Sequence, residues 1–253
     1  MKFILGTAAL AAGISVAMPA LALNICVEGA YPPFSETAAD GSIVGFDIDI
    51  ANALCAEIGE TCELVKVDWD GIIPALLERK CDAIVASMSS TEQRKQVIDF
   101  TDKYYNVPNR FVAAEGAGLV DTPEGMAGKV VAVQRGTIHQ SYLEAVYPDT
   151  ELRLYGTQDE AVLDLSAGRI DAVMADELAI TEGFLATPAG AGFALFGEPH
   201  SDPAYHGPGA GIGVRKEDTE LRDRLSAAIL AIRADGTYDT IREKYFETDI
   251  YGD

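Results

Sequence analysis

The stretch WDGIIPALLERKCDAIVAS, residues 69–87, has a second copy further along the chain, QDEAVLDLSAGRIDAVMAD at residues 158–176. The two copies align without gaps and share five of nineteen positions. Each copy predicts a helix, a turn and then a strand with the pattern Asp-Ala-apolar-apolar-Ala. The match indicates a duplicated helix–strand unit, although any such unit of an α/β protein has this general pattern.

The rest of the chain alternates in the same way between strand-like and helix-like segments. The segments LNICVEG, CELVKVD, GKVVAVQRG and GIGVRK predict strands, and FDIDIANALCAEIG, TIHQSYLEAVY and TELRDRLSAAILAIRADG predict helices. This alternation predicts α/β lobes with mainly parallel sheets. If the duplication is real, each lobe carries one copy, and Ser87 and Asp176 end equivalent strands. Because ligands bind open α/β sheets at the carboxyl ends of strands, two facing lobes would enclose a binding cleft there.

The first 22 residues have the pattern of a secretory signal peptide, with Lys2, an apolar run and the small-residue pair Ala20-x-Ala22. The alternative is a retained membrane anchor, for which the apolar run is short. The remaining length suits one large domain or two lobes.

The chain is strongly acidic, with 40 acidic and 19 basic residues among 253 and a net charge of −21. This balance argues against nucleic-acid binding, and solubility alone is enough to account for it. The three histidines are scattered and no C-x-x-C motif occurs, so we expect no metal site.

Four cysteines are present in the sequence. Cys55 and Cys62 bracket a predicted helix end and turn, and an exported protein can oxidise such a pair to a disulfide. The alternative is two buried thiols. Cys26 and Cys81 each lie in a strand-like segment, where we expect buried, free thiols.

The stretch STEQRKQVI places Arg94 in the first turn of a predicted helix that begins at Thr91 or at Ser89. A cation is mildly unfavourable at a helix N-terminus, which suggests that Arg94 has another role. A guanidinium can hold a carboxylate by two hydrogen bonds, helped by the N–H groups that begin this helix and the helix at Thr137. The alternative is a solvent-exposed arginine.

Asp176 ends an apolar strand, where an unpaired carboxylate is unfavourable. With the Ser89 hydroxyl it could accept a ligand ammonium group, and the alternative is that Asp176 caps the helix that follows. A carboxylate grip at Arg94 combined with an ammonium acceptor predicts the binding of an α-amino acid.

Tyr31 and Trp69 each follow a predicted strand and are placed to sandwich a ligand side chain, although core packing is the commoner role of such aromatic residues. Glu28 ends the first strand, close to Tyr31. A carboxylate beside aromatic faces favours a cationic ligand group through direct pairing and cation–π attraction. The alternative for Glu28 is a charge at the rim of the cleft.

These residues belong to motifs that resemble the periplasmic solute-binding proteins of polar amino-acid ABC transporters, solute-binding family 3. The resemblance is greatest to the lysine/arginine/ornithine/histidine-binding group and covers nearly all of the chain beyond the signal segment. It rests on Tyr31-Pro32-Pro33-Phe34, Gly45-Phe46-Asp47-Ile48-Asp49, Trp69-Asp70, Ser87-Met88-Ser89-Ser90-Thr91-Glu92-Gln93-Arg94, Phe100-Thr101-Asp102, Asp176-Glu177, Gly183-Phe184-Leu185, and residues 213–221 and 235–238.

The resemblance implies an α/β fold of type II, in which two hinge strands, near residues 106–109 and 205–209, join two lobes. Lobe 1 would consist of residues 23–107 and 208–253, and lobe 2 of residues 108–207. It also implies a monomeric, non-catalytic periplasmic protein without a cofactor, which delivers one amino acid to an inner-membrane ABC permease.

The resemblance assigns the ligand carboxylate to Arg94, with backbone groups at Ser89, Thr137 and Ile138. Asp47 would lie behind these residues and orient Arg94.

The ligand ammonium is assigned to Asp176 and Ser89 with the carbonyl group of Ser87. Tyr31 and Trp69, the latter often Phe in the group, would flank the aliphatic stem of the ligand.

Glu28 stands where the group often has Asp for the distal cation, and the spacing of Cys55–Cys62 matches a disulfide of the group. Three positions depart from the pattern: His139 falls where a ligand-reaching Gln is common, Gln134 replaces an apolar contact, and Arg135 would repel a cation if it faced the cleft. We therefore expect a cationic amino acid (arginine, lysine, ornithine or histidine). An opine or a neutral polar amino acid is the alternative, and an exported dehydratase of the same fold is less favoured.

Overall fold

The computed structural model describes residues 22–252. The predicted signal peptide, residues 1–22, lies outside the described residues apart from Ala22, which begins the first strand. Across residues 22–252 no helix is both long and apolar enough to cross a lipid bilayer. The strands are β1 (Ala22–Val27), β2 (Ala30–Tyr31), β3 (Ser35–Thr37), β4 (Ile43–Val44), β5 (Thr61–Lys66), β6 (Ala83–Ile84), β7 (Asp99–Tyr105), β8 (Asn109–Ala114), β9 (Val130–Gln134), β10 (Glu151–Tyr155), β11 (Ala172–Asp176), β12 (Phe193–His200) and β13 (Ala210–Val214). The α-helices are α1 (Phe46–Glu57), α2 (Trp69–Leu77), α3 (Glu92–Lys95), α4 (Pro123–Met126), α5 (Ile138–Val146), α6 (Gln158–Ser166), α7 (Glu177–Ile180), α8 (Pro203–His206), α9 (Thr219–Ala234) and α10 (Thr237–Arg242), with a π-helical turn (Thr181–Leu185) and a 3₁₀ turn (Pro188–Gly190).

Two five-stranded sheets have the same plan, and each forms the centre of one lobe. The sheet of lobe 1 has the order β5-β1-β6-β13-β7, and that of lobe 2 has the order β10-β9-β11-β8-β12. In each sheet three parallel strands are followed by an antiparallel neighbour, which is β13 in lobe 1 and β8 in lobe 2. A three-stranded antiparallel sheet, β2-β3-β4, belongs to lobe 1.

The duplicated sequence unit occupies matching positions in the two lobes. In the first copy α2 leads to β6, and in the second copy α6 leads to β11. β6 and β11 are each the third strand of their sheet. Asp176 therefore ends β11, and Ser87 lies three residues beyond the end of the equivalent strand β6, on the side that the gapless alignment predicts.

Apolar residues at the expected spacing fill the cores of the lobes. The central strands β11 and β13 are buried along their whole length, as is usual for strands covered on both faces. Helix α9 buries Leu225, Ala228, Ile229 and Ile232, the spacing of an amphipathic helix packed on a sheet. Strands held in this way give the residues at their carboxyl ends fixed positions.

Both cysteine pairs form disulfides. Cys55–Cys62 joins the end of α1 to β5, so the predicted bond is confirmed. The prediction that Cys26 and Cys81 are free thiols is wrong, because they are bonded to each other. Cys26 lies in β1 and Cys81 lies just before β6, and hydrogen bonding between β1 and β6 brings the two side chains together.

The chain crosses between the two sheets twice. β7 leads into β8 through residues 106–108, and β12 returns to β13 through residues 201–209. The crossings are adjacent at Gly209, where a Cβ atom would lie 2.6 Å from the carbonyl oxygen of Tyr105. Its φ of 134° also favours glycine. The lobe boundaries inferred above fall within these crossings and stay a prediction of which segments move together.

The predicted helix from Thr91 to Ile98 is shorter in the structure. Only Glu92–Lys95 is helical, and the Thr91 hydroxyl oxygen caps it by accepting a hydrogen bond from the N–H of Arg94. Ile98 is buried in the core of lobe 1 and β7 begins at the next residue, so the chain leaves the helix early.

The backbones of the two lobes come close together at Gly183, in the π-helical turn of lobe 2. A Cβ atom at this position would lie 2.4 Å from the carbonyl oxygen of Pro32 in lobe 1. Both atoms belong to the main chain or are attached directly to it, so no side-chain rotation relieves the clash. The observed closed arrangement of the lobes therefore requires glycine here.

We expect Gly183→Ala to leave each lobe folded and to hinder their closure. If lobe closure encloses the ligand, as the resemblance implies, every ligand should bind at least about tenfold more weakly. Calorimetric titration measures the affinity, and small-angle scattering at saturating ligand measures compaction. Gly71→Ala is the matched control, because its Cβ would meet only ordinary contacts, 3.5 Å from Val67. Unchanged affinity in Gly183→Ala would show that closure tolerates a wider gap than the structure has.

Candidate ligand-binding site

A cavity lies between the two lobes at the carboxyl ends of the central strands. All ten residues that the sequence nominated for ligand binding line it: Glu28, Tyr31, Trp69, Ser87, Ser89, Arg94, Thr137, Ile138, His139 and Asp176. The other lining residues are Ala86, Gln134, Gln158, Ala161, Val173, Met174 and Ala175. Lobe 1 supplies one wall and lobe 2 the other, so a ligand held here would contact both.

Arg94 provides the positive charge of the cavity. Its Nη1 donates to the carbonyl oxygen of Ser89 at 2.9 Å, and its Nη2 donates across the cleft to the carbonyl oxygen of Gly136 at 3.3 Å. The guanidinium carbon lies 5.2 Å from the centre of the Trp69 ring. Burial lowers the pKa of Arg94 to about 10, so the side chain stays charged at neutral pH.

No carboxylate in residues 22–252 forms a salt bridge with Arg94, since its partners are the carbonyl groups and the indole ring. A partly buried cation without a counter-charge favours an anionic ligand group. Helix α5 adds its unpaired N-terminal N–H groups, beginning with Ile138, and the side chain of Thr137 caps it. The helix at Arg94 has only four residues and contributes much less than the sequence suggested.

Asp176 provides negative charge on the opposite lobe. It occupies the N-cap position of α7, yet its side chain makes no capping hydrogen bond. The carboxylate instead receives hydrogen bonds from Tyr105 Oη at 3.4 Å and His139 Nε2 at 3.2 Å. The capping alternative therefore does not describe the side chain, which remains available to a ligand ammonium group.

His139 lies behind Asp176. Its Nε2 is 3.1 Å from Asn109 Oδ1 and 3.2 Å from Asp176 Oδ1. Both neighbours are acceptors, so Nε2 carries the proton and shares it between them. His139 is buried, and this contact orients the carboxylate of Asp176.

Ser87 is held in an unusual backbone conformation, with φ at +53°. Its N–H donates to Tyr104 Oη at 2.9 Å, and its Oγ donates to Asp47 Oδ2 at 2.9 Å. Tyr104 Oη in turn donates to Asp47 Oδ1 at 2.8 Å. Residues held in this region of φ cluster at ligand sites, and here three hydrogen bonds hold the strain in place.

The prediction that Asp47 orients Arg94 is wrong, because both of its carboxylate oxygens are occupied by hydroxyl groups of Ser87 and Tyr104. Asp47 is fully buried, and burial raises its pKa to about 7. It supports the cavity by fixing Ser87.

The two aromatic residues combine packing with cavity lining. Tyr31 is buried with its ring 5.8 Å from that of Phe34, and its hydroxyl oxygen accepts a hydrogen bond from the Asp176 N–H at 3.4 Å. Trp69 packs partly on the core of lobe 1 and partly against Arg94. The core-packing alternative and the ligand-facing role therefore coexist in both side chains.

Glu28 is buried at the cavity, so the alternative of a rim charge does not hold. Its Oε1 accepts a hydrogen bond from Gln134 Nε2 at 2.5 Å. Burial raises the pKa of Glu28 to about 7 despite this bond. Arg135 does not line the cavity. It pairs with Asp70 on the other lobe through bonds of 2.7 and 2.9 Å, and its side chain is half exposed.

Comparison with known proteins identifies the class to which this fold and site belong. Residues 23–248 match the model of the bacterial extracellular solute-binding proteins, family 3, and the chain belongs to that family. Its architecture is the type II periplasmic-binding-protein fold, as the sequence predicted.

Individual relatives cover nearly the whole chain. The L-arginine-binding protein of Pseudomonas aeruginosa is 48% identical over 91% of this chain and 90% of its own. The lysine/arginine/ornithine-binding periplasmic protein of Escherichia coli is 40% identical over 91% of this chain and 90% of its own. A Salmonella typhimurium periplasmic binding protein of high arginine specificity has a solved structure with a TM-score of 0.83 and 34% identity, which covers 90% of this chain and all of that one.

The sequence did not point to Gln158 as a cavity residue. A signal was present, because the gapless alignment of the duplicated unit pairs Gln158 with Trp69, and each is the first residue of its helix. Both line the cavity. The apolar lining residues, such as Met174, were indistinguishable in sequence from other buried strand residues.

We expect Arg94→Ala to abolish binding of every α-amino acid, because all of them share the carboxylate that the guanidinium would hold. A hydrogen bond to a charged group contributes about 1.5–3 kcal/mol, and two such bonds make the loss at least about 100-fold. Circular dichroism should show an intact fold. Arg153→Ala, on the surface of lobe 2, is the control and should bind normally. If Arg94→Ala bound amino acids with wild-type affinity, Arg94 would not be the residue that holds the ligand carboxylate.

Proposed function

We propose that this chain is the substrate-binding component of an amino-acid ABC importer and that it binds a cationic amino acid between its lobes. The observation that carries the proposal is the charge pattern of the cavity. Arg94 and Asp176 offer opposite charges to the carboxylate and ammonium of an amino acid, and the buried Glu28 offers a second negative charge to the side chain. Ser89, Thr137 and the aromatic pair complete the proposed contacts.

The names of the relatives support this choice of ligand. The Pseudomonas aeruginosa protein binds L-arginine, and the Escherichia coli protein binds lysine, arginine and ornithine. The opine alternative rested on an Arg135 that faces the cleft, and here Arg135 pairs with Asp70 outside the cavity. A neutral polar amino acid has no positively charged side-chain group that could pair with the carboxylate of Glu28.

The proposal includes export to the periplasm and delivery to an inner-membrane ABC permease by a monomer. The signal-like N-terminus and the two disulfides support export, because disulfides form in oxidising compartments. The matching lobes joined by two crossings support hinge closure around the ligand. The proposed hinges are residues 106–109 and 205–209, which overlap the two connections between the sheets.

We propose that the protein is non-catalytic. The relatives described above are binding proteins, and the cavity carboxylates hold bonds consistent with ligand binding: Glu28 to Gln134, and Asp176 to His139. Incubation with candidate dehydratase substrates and analysis for product tests the enzyme alternative.

Glu28→Gln tests the proposed ligand class, because it keeps the size of the side chain and removes its charge. The loss of a charged hydrogen bond should lower the affinity for arginine and lysine by about 10- to 100-fold. The affinity for glutamine should stay the same or increase. Calorimetric titration of both proteins with these three ligands measures the difference. Equal losses for glutamine and arginine would mean that Glu28 shapes the cavity without selecting charge.

The affinity for cationic amino acids should fall as the pH drops below about 7. Burial raises the pKa of Glu28 to about 7, so below this pH the unliganded protein holds a proton there that a cation must displace. The affinity should fall by up to about tenfold per pH unit. Calorimetry between pH 5 and 8 measures the slope, and Glu28→Gln should flatten it. The same slope in the variant would assign the dependence to another group.

A further inference from the structure

The side chain of Gln134 forms two hydrogen bonds that have no assigned role in ligand selection. It ends β9 in lobe 2, is buried and lines the cavity. Its Nε2 donates to Glu28 Oε1 in lobe 1 at 2.5 Å and to the carbonyl oxygen of Gly156 in lobe 2 at 3.0 Å. A single side-chain amide thus joins the two lobes at the part of the cavity where Glu28 lies.

The two partners fix the orientation of this amide. The carbonyl oxygen of Gly156 can only accept a hydrogen bond, so the group facing it must be the NH₂ of Gln134 and not its oxygen. The carbonyl oxygen of Gln134 then remains an acceptor, and no residue in 22–252 donates to it. The second carboxylate oxygen of Glu28 likewise receives no hydrogen bond from the described residues.

Gln158 adds a further amide to the same cavity. It begins α6, is 5% exposed, and its side chain forms no hydrogen bond within the described part of the chain. Its amide atoms are not among the fully buried atoms that lack a partner, so they are open to the cavity, where ligand atoms could bond to them. Glu28, Gln134 and Gln158 therefore present at least three unused acceptor oxygens, drawn from both lobes.

The form of the distal cation decides how well it can use such a set. A guanidinium spreads five N–H donors over three nitrogen atoms, whereas an ammonium has three donors on one nitrogen atom. Acceptors carried by separate side chains on two lobes suit the spread donors. An ammonium can pair with Glu28, but it satisfies fewer of the amide oxygens at the same time.

We propose that Gln134 is a specificity-determining residue that selects the guanidinium of arginine over the ammonium groups of lysine and ornithine. The proposal rests on the proposed function and narrows its ligand class. Glu28 attracts any distal cation. Gln134 adds an acceptor that a guanidinium reaches while the amide NH₂ stays bonded to Glu28.

Calorimetric titration with arginine, lysine and glutamine tests the proposal on the wild type, Gln134→Leu and a matched control. The wild type should bind arginine at least about tenfold more tightly than lysine. Gln134→Leu should lower the affinity for arginine by about 10- to 100-fold and the affinity for lysine by less than about threefold. The variant would then have lost most of its preference for arginine over lysine. The control is Gln96→Leu, the same change at an exposed position outside the cavity, and it should alter neither affinity.

Lysine binding by Gln134→Leu also shows that this variant is folded. If the leucine variant does not fold, Gln134→Met, which keeps an unbranched side chain, is used in its place. Equal losses for arginine and lysine, or no loss for either, overturn the proposal. So does a wild type that binds lysine as tightly as arginine, and in that case the proposed binding of cationic amino acids still stands. A wild type that binds neither ligand overturns the proposed function itself.

Discussion

The arrangement of the cleft depends on keeping two opposite charges apart. Arg94 and Asp176 face the same cavity, yet each is bonded to other groups: Arg94 to backbone carbonyls, and Asp176 to the hydroxyl of Tyr105 and the Nε2 of His139. If the two formed a direct ion pair, the cavity would have no charge to offer. Because Arg94 and Asp176 are not paired with each other, the proposed zwitterionic ligand would bring a partner of opposite charge to each end of the site.

The sequence was sufficient to predict the class of fold and ten of the residues that line the cavity, although not Gln158. The duplicated unit identified Ser87 and Asp176 as the ends of equivalent strands, and the rule for α/β sheets placed a ligand there. The unfavourable position of Arg94 near a helix start indicated a role beyond the helix. These inferences depend on local patterns of charge and hydrophobicity, which a sequence records directly.

The features that the sequence could not predict depend on contacts between distant segments. The bond between Cys26 and Cys81 requires that β1 and β6 be neighbours, and the sequence does not state strand order. The role of Asp47 depends on two hydroxyl groups, of Ser87 and Tyr104, whose positions follow from the packing of three elements. The orientation of Arg135 is likewise set by Asp70 on the opposite lobe.

The Cys26–Cys81 disulfide has a consequence for how the site assembles. β1 leads to Glu28, and β6 leads to Ser87, so the bond ties together the two strands that deliver these residues to lobe 1. The relative placement of the two residues is therefore covalently restrained whether the lobes are apart or together. In the proposed closure, lobe 2 would therefore meet a lobe 1 whose two site-bearing strands are already linked by a covalent bond.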